Sequence, residues 1–297
     1  MKVSIIIPTQ NRADDVINCI DSILISSFND FEIIVVDNAS NDETPLLIKN
    51  KFSNNKRIKL IESDINLGAG GGRNRGAKEA NGKLLLFIDS DNVIDSEMVK
   101  LLVDFVNKKD NCGMVGPLIL FKDDPNLIWL YFADINMWTS KASYKGTGEQ
   151  DAKQYKEIED VGHIPNCFMV RRKDFEKVGG FDEKYLVMFE EADFAEKIKR
   201  LGKKINIYTK AKTYHNIPLP EKSLRGGATF KNERIAFLTS RNRVYFMKKN
   251  ANFFQFFIFL FIFLPFSLIY YQFSLLRRKE FNKAVACLKG SAQGLLM

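Results

Sequence analysis

A chain of 297 residues, 45% hydrophobic and 27% charged, holds enough apolar material for one large globular domain or two small ones. Cys19, Cys112, Cys167 and Cys287 are scattered and form no C-x-x-C pair, which argues against a disulfide framework or a zinc site and suits a reducing compartment. The formal charge of +8 is uneven: residues 231–297 carry eleven Lys/Arg against two Glu, which leaves residues 1–230 at −1 and speaks against a nucleic-acid-binding protein.

Met1 is followed directly by strand-like sequence, so no leader peptide is expected. Residues 2–7 are a β-branched run stopped by Pro8, the pattern of a buried strand. Val16, Ile17, Ile20, Ile23 and Leu24 then recur on one helical face. Residues 31–36 form a second strand ending at Asp37-Asn38, and 41–45 a turn opening a helix to about Phe52. Residues 58–61 are a third strand, and 83–88 a fourth that ends in Asp89-Ser90-Asp91. This βαβαβαβ alternation predicts a parallel sheet with helices on both faces. Ligands of such sheets sit outside the carboxyl ends of the strands. Pro8-Thr9, Asp37-Asn38, Glu62-Ser63-Asp64 and Asp89-Ser90-Asp91 all reach that edge.

Two carboxylates one residue apart at the end of a buried strand are costly unless solvated or neutralised. A solvated turn capping the next helix is one solution. A hard divalent cation, Mn²⁺ or Mg²⁺, is the other. The stretch Gly68–Arg73 invites a dinucleotide-fold reading, but G-x-G-x-x-G from Gly68 would need glycine where Arg73 stands, and it follows the third strand. It reads instead as a glycine-rich loop and helix start over 66–76, continuing helically through 77–80. Its Arg73 and Arg75 could approach a diphosphate.

Residues 96–107 read as an amphipathic helix and 114–121 as a strand. Residues 122–160 show no clear period. Residues 167–170 are a strand, and 179–182 a turn. A helix opens near Phe189 with Glu190, Glu191 and Asp193 in its first turn, where the helix dipole favours negative charge. Residues 205–208 form a last strand leading to His215, either a structural histidine or a metal ligand.

From Asn250 to Leu276 there is no charged residue, and nine of the 27 positions are Phe. That length suffices to cross a bilayer. Pro265 within the run invites a kink or a break, and basic residues at both ends conflict with a simple single pass; a monotopic hairpin or an interfacial helix pair with both ends on the cytoplasmic side removes the conflict.

Taken together and in order, four segments resemble the inverting family 2 glycosyltransferases of GT-A fold. They are Ser4–Arg12; Val35–Thr44; Asn66–Gly76 running on to Asp89-Ser90-Asp91; and Gly179-Gly180-Phe181-Asp182 with Phe189–Phe194. Arg241-Asn242-Arg243 before the apolar run resembles the membrane-attached, rhamnosyltransferase-like branch. The resemblance implies a Rossmann-like, mostly parallel sheet flanked by helices over 1–245, with a nucleotide-binding half (1–92), an acceptor half (93–245) and a membrane-associating helical tail (246–297). It implies that Pro8, Thr9, Arg12, Asp37, Asn38, Gly68, Arg73, Asp89 and Ser90 bind a UDP- or dTDP-sugar. Asp91 and His215 would hold Mn²⁺ or Mg²⁺, with Asp89 as a further ligand or a ribose contact. Glu191 stands where the family usually has Asp as the general base, which leaves Glu190 and Asp193 as alternatives. The expected acceptor is a lipid-linked or cell-envelope glycan at the cytoplasmic membrane face. A sugar nucleotidyltransferase would carry a glycine-rich basic loop after the first strand, where Pro8-Thr9-Gln10-Asn11 stands. A non-catalytic membrane-bound scaffold of the same fold is the other alternative.

Overall fold

The computed structural model describes residues 2–219 and 230–297. Contacts divide the chain into two compact units, one of Met1–Asp134, Tyr144–Leu186 and Glu190–Leu219, the other of Ile135–Ser143, Val187–Phe189 and Pro220–Met297.

The first unit opens with β1 (Val3–Thr9), α1 (Ala13–Leu24), β2 (Phe31–Asn38), α2 (Thr44–Phe52), β3 (Ile58–Ser63), α3 (Gly68–Lys78) and β4 (Leu84–Ile88). These four strands lie parallel in the order β3-β2-β1-β4. Side chains alternate across the sheet. In β1, Val3, Ile5 and Ile7 join α1 and the later α4 in one core, and Ile6 joins α3 in the other. Both faces are therefore covered, which is why the strands read as continuous apolar runs.

Next come β5 (Asn92–Ile94), α4 (Met98–Lys108), β6 (Cys112–Phe121), β7 (Ile128–Leu130), β8 (Phe132–Ile135), β9 (Ala142–Lys145), β10 (Ile158–Asp160), β11 (Cys167–Arg171), α5 (Arg172–Lys177), α6 (Glu190–Lys199) and β12 (Lys204–His215). Residues 122–160, patternless in sequence, hold four short strands, of which β8 and β9 make a separate ribbon. β11 inserts antiparallel between β4 and β6. β12 runs parallel to β6 and antiparallel to β5. These two antiparallel pairings fold the second half of the unit back onto the carboxyl edge of the first four strands.

The glycine-rich stretch, read as a loop and helix start over 66–76, is already helical from Gly68. Glycine is a poor helix former, and here close approach explains it. A Cβ on Gly76 would stand 2.5 Å from Ile6 Cγ2, and one on Gly72 would stand 2.8 Å from Asn38 Nδ2 and 3.0 Å from Pro8 Cβ. The missing side chains let α3 lie directly on β1 and β2. Gly76→Val is expected to cost about 1–3 kcal/mol through overpacking, read as a lower midpoint in urea unfolding; an unchanged midpoint would show that α3 can shift outward at no cost.

The second unit contains α7 (Glu233–Asn250), α8 (Phe253–Ile258), a π-helical segment (Phe259–Phe263), α9 (Leu264–Arg277) and α10 (Phe281–Leu296). Pro265 does not break the apolar run. It follows the π segment, whose looser hydrogen bonding accommodates the missing proline N–H. Phe253–Arg277 is a continuous helix of 25 residues, long and apolar enough to cross a membrane. α10 crosses α7 at Gly290 and Gly294, where an added Cβ would meet the carbonyl oxygens of Phe237 and Arg241 at 2.3 and 2.4 Å.

Candidate active site

The carboxyl edge of β1, β2 and β4 gathers the polar residues. Asp37 is buried, and its carboxylate accepts hydrogen bonds from the Ser40 amide (3.0 Å) and hydroxyl (2.5 Å). The Asn11 amide donates to Ser40 Oγ at 2.8 Å, which ties the loop after β1 to the loop after β2. Thr9 and Asn38 are buried beside it. Asn38 Nδ2 donates to the Gly68 carbonyl at 3.1 Å, whereas Thr9 Oγ1 and Asn38 Oδ1 have no protein partner. A buried polar atom without a partner costs about 1–3 kcal/mol. Gly68 has φ 72°, and a Cβ there would lie 2.2 Å from the Leu186 carbonyl oxygen.

Asp91 sits between two donors. Arg12 Nη1 lies 3.2 Å from one carboxylate oxygen and His215 Nε2 lies 3.3 Å from the other. His215 is delivered by β12, whose pairing with β5 puts His215 opposite Asn92, and the Asn216 amide fixes this by donating to the Asp91 carbonyl at 2.7 Å. The ring edge of Trp129 packs on His215, with centroids 4.5 Å apart, and His215 Nδ1 is buried without a partner. Burial raises the Asp91 carboxyl, but the hydrogen bond and charge of His215 and the charge of Arg12 outweigh it and hold the group below its usual range. Ser90 is buried between the two aspartates.

Arg73 was expected at the base or diphosphate. Its side chain is instead fully buried and ringed by protein carboxylates: Asp89 at 2.7 Å, Glu191 at 2.9 Å and Glu190 at 3.5 Å. Phe168 and Phe181 form its floor, with ring centroids 5.7 and 5.4 Å from Cζ. The physical reason is the close seat of α3, which drives this helix face under the cleft. Burial works against the guanidinium's charge, but Asp89, Glu191 and Glu190 together push its pKa up. Burial and the neighbouring Glu191 push the Glu190 carboxyl well above the usual range. Arg73 is thereby shared chiefly between Asp89 and Glu191, the closer two. Arg73→Met leaves buried carboxylates unpaired and is expected to destabilise the chain by about 3–5 kcal/mol, measurable by denaturant unfolding; retention of full stability would mean the cluster neutralises itself by proton uptake.

Of the three acids in α6, Asp193 is fully buried and accepts from the Tyr185 hydroxyl at 3.3 Å, with Lys197 at 3.7 Å. Glu190 is likewise enclosed. Glu191 is the open one, its side chain 12% exposed. Three residues at this site escaped sequence reasoning. Asn166 is buried at φ 75°; its carbonyl accepts from the Asp89 amide at 2.9 Å and its amide donates to Glu191 at 3.4 Å. It therefore joins the acidic turn after β4 to the acids of α6. His163 is buried, which drops its pKa to about 4 against the pull of Glu191, so it stays neutral at physiological pH. The Tyr144 ring stands edge-on to it at 6.5 Å. The signal was the strand at 167–170: once it pairs antiparallel with β4, whatever precedes Cys167 must abut Asp89.

Residues 4–179, more than half the chain, match the family described as glycosyl transferase family 2. The chain belongs to that family. Among curated relatives of this chain, GlyG of Streptococcus pneumoniae serotype 4 is 20% identical over 176 residues, 59% of this chain and 58% of GlyG. The poly(ribitol-phosphate) β-N-acetylglucosaminyltransferase TarS of Staphylococcus aureus is 35% identical over 111 residues, 36% of this chain and 19% of TarS. The chain thus spans 58% of GlyG and 19% of TarS, less than two thirds of either. In solved structures, TarS residues 1–349 with UDP-GlcNAc superpose with a TM-score of 0.59 at 22% identity, covering 99% of this chain and 81% of that one. GalNAc-T7 with UDP, GalNAc and Mn²⁺ gives 0.62 at 16% identity, covering 82% and 50%. These likenesses show the shared GT-A-like α/β fold.

Proposed function

We propose that the chain transfers a sugar from a UDP- or dTDP-linked donor to a hydroxyl of a lipid-linked or cell-envelope glycan, with inversion at the anomeric carbon, at the cytoplasmic face of the membrane. The observation that carries the reading is the pairing of Asp91 with His215 at the strand edge, across the Arg73 cluster from an open Glu191. Among the described residues no three His, Cys, Asp or Glu stand together as a self-sufficient metal site. Asp91 and His215 offer one oxygen and one nitrogen, which suits an ion that takes its other ligands from a diphosphate and water, as Mg²⁺ commonly does. His215 Nε2 faces the Asp91 carboxylate at 3.3 Å, so the two could turn toward one ion. Such an ion, when bound, would neutralise charge on the departing nucleoside diphosphate. TarS with UDP-GlcNAc and GalNAc-T7 with UDP and Mn²⁺ support this donor class.

The chain's own groups do the rest. Asp37 is presented at the rim as an acceptor for the base or ribose, beside Pro8, Thr9 and Asn38. Arg12, drawn to Asp91 when no donor is bound, turns to the donor's phosphates. Arg73 orients Asp89 and Glu191 from below and does not itself touch the donor. Glu191, neighboured by neutral His163, takes the proton from the acceptor hydroxyl as general base. Donor hydrolysis and transfer assays with UDP- and dTDP-sugars, with and without Mn²⁺, test the reading. Metal-dependent release of the nucleoside diphosphate supports it; binding of sugar or lipid with no turnover of any donor would favour a scaffold.

A further inference from the structure

Among the described residues nothing covers the outer face of Phe253–Arg277. Phe254, Phe257, Phe261, Ile262, Phe266, Ile269 and Phe273 are exposed. From the π segment into α9 the exposed Ile262, Phe266, Ile269 and Phe273 recur at four, three and four residues, opposite the inward Leu264, Ser267, Tyr271 and Leu275.

The inward face decides the helix's orientation. Arg243 Nη1 donates to Ser267 Oγ at 2.9 Å, and its guanidinium lies over Phe259 at 5.4 Å. Leu275 packs in one cluster with Ala236, Ala284 and Cys287, and the ring of Tyr271 meets Phe230 at 5.8 Å. Contacts that descend through α7 as they ascend through α9 make the two helices antiparallel neighbours. α7 is polar and tied down. Asn242 Nδ2 donates to the Val187 and Met188 carbonyls at 2.8 and 3.1 Å, and Arg243 Nη2 to the Thr139 carbonyl at 2.8 Å.

Ser267 is two residues from the middle of the helix. Were Phe253–Arg277 to cross the bilayer, Arg243 and the loops it binds would enter the hydrocarbon at mid-depth, where charge is strongly disfavoured. The flanking Lys248-Lys249 and Arg277-Arg278-Lys279 would also fall on opposite sides. We infer that this helix does not span: it lies in the plane of one leaflet of an anionic membrane, with Phe254, Phe266, Ile269 and Phe273 inserted and both basic ends at the headgroups. The inference sharpens the membrane-face location proposed above and is independent of the chemistry, because binding is read without donor or acceptor.

The test uses the full chain with nitroxide labels at Phe254→Cys, Phe266→Cys and Phe273→Cys, bound to phosphatidylglycerol–phosphatidylcholine vesicles. All four native cysteines are buried. The expected result is one shallow depth for all three labels, about 5–10 Å below the headgroup boundary, and binding that weakens as salt rises. Phe266→Asp and Phe273→Asp should each weaken vesicle binding by about tenfold or more, the equivalent of one lost Phe burial, with far-ultraviolet circular dichroism unchanged. A label at Phe266 near the bilayer centre with the other two shallow would establish a span and overturn the inference. A chain that ignores vesicles and sediments as a dimer would overturn it too, assigning the face to a second copy.

Discussion

Asp91→Asn is expected to lower the transfer rate by about a thousandfold while leaving the fold intact. The substitution keeps the shape of the side chain, so the contacts from Arg12 and His215, at 3.2 and 3.3 Å, keep their geometry but lose their charge partner. What disappears is an anionic oxygen able to hold a divalent ion against a diphosphate. Loss of that charge stabilisation in the transition state is worth several kcal/mol, which corresponds to the stated factor. The check is an initial-rate series in Mn²⁺ on the wild type and the variant, with thermal unfolding alongside. A variant within tenfold of wild type would remove Asp91 from the metal role and move attention to Asp89.

Glu191→Gln is expected to reduce kcat by about 10²–10⁴-fold, the usual contribution of a positioned general base, with little change in the KM for the donor. Its neighbours predict a second signature. Glu191 shares Arg73 with Asp89, so a neutral amide leaves Arg73 to Asp89 and Glu190 without orphaning it. Stability should therefore stay close to that of the wild type, unlike that of Arg73→Met. Comparison with Glu190→Gln and Asp193→Asn decides the assignment. If either of those, folded, loses more kcat than Glu191→Gln, the base lies elsewhere in α6. The Asn166 amide and Arg73 both donate to the same Glu191 oxygen, at 3.4 and 2.9 Å.

Much of the first half of the site was legible because its strands are buried on both faces. Continuous apolar runs at 5–7, 33–36 and 84–88 end abruptly, and that abruptness marks the carboxyl edge. Strand direction carries no such mark. β11 reads as a strand, but nothing in Cys167-Phe168-Met169-Val170 says that it runs against β4, so Asn166 and His163 were not placed beside Asp89. The burial of Arg73 was hidden for a related reason. Glycines at 68 and 70–72 argue locally for a loop, and only the approach of α3 to Ile6, Pro8 and Asn38 makes them a helix. His215 follows a strand, but what brings it to within 3.3 Å of Asp91 is the three-residue β5, too short to announce itself in sequence.

The insertion of β11 has a consequence for how the protein can be divided. Residues 1–92 look like a self-sufficient nucleotide-binding module, but β4 receives one whole side of its hydrogen bonding from residues 167–171. Cut free, β4 becomes an uncovered edge of five consecutive large apolar residues with no charge, proline or bulge to blunt it, a template for sheet-to-sheet aggregation. This one inserted strand thus makes the two halves inseparable. A gene fragment encoding only the first half should yield inclusion bodies, and recombination between relatives should tolerate exchange of the whole first unit far better than exchange at its midpoint.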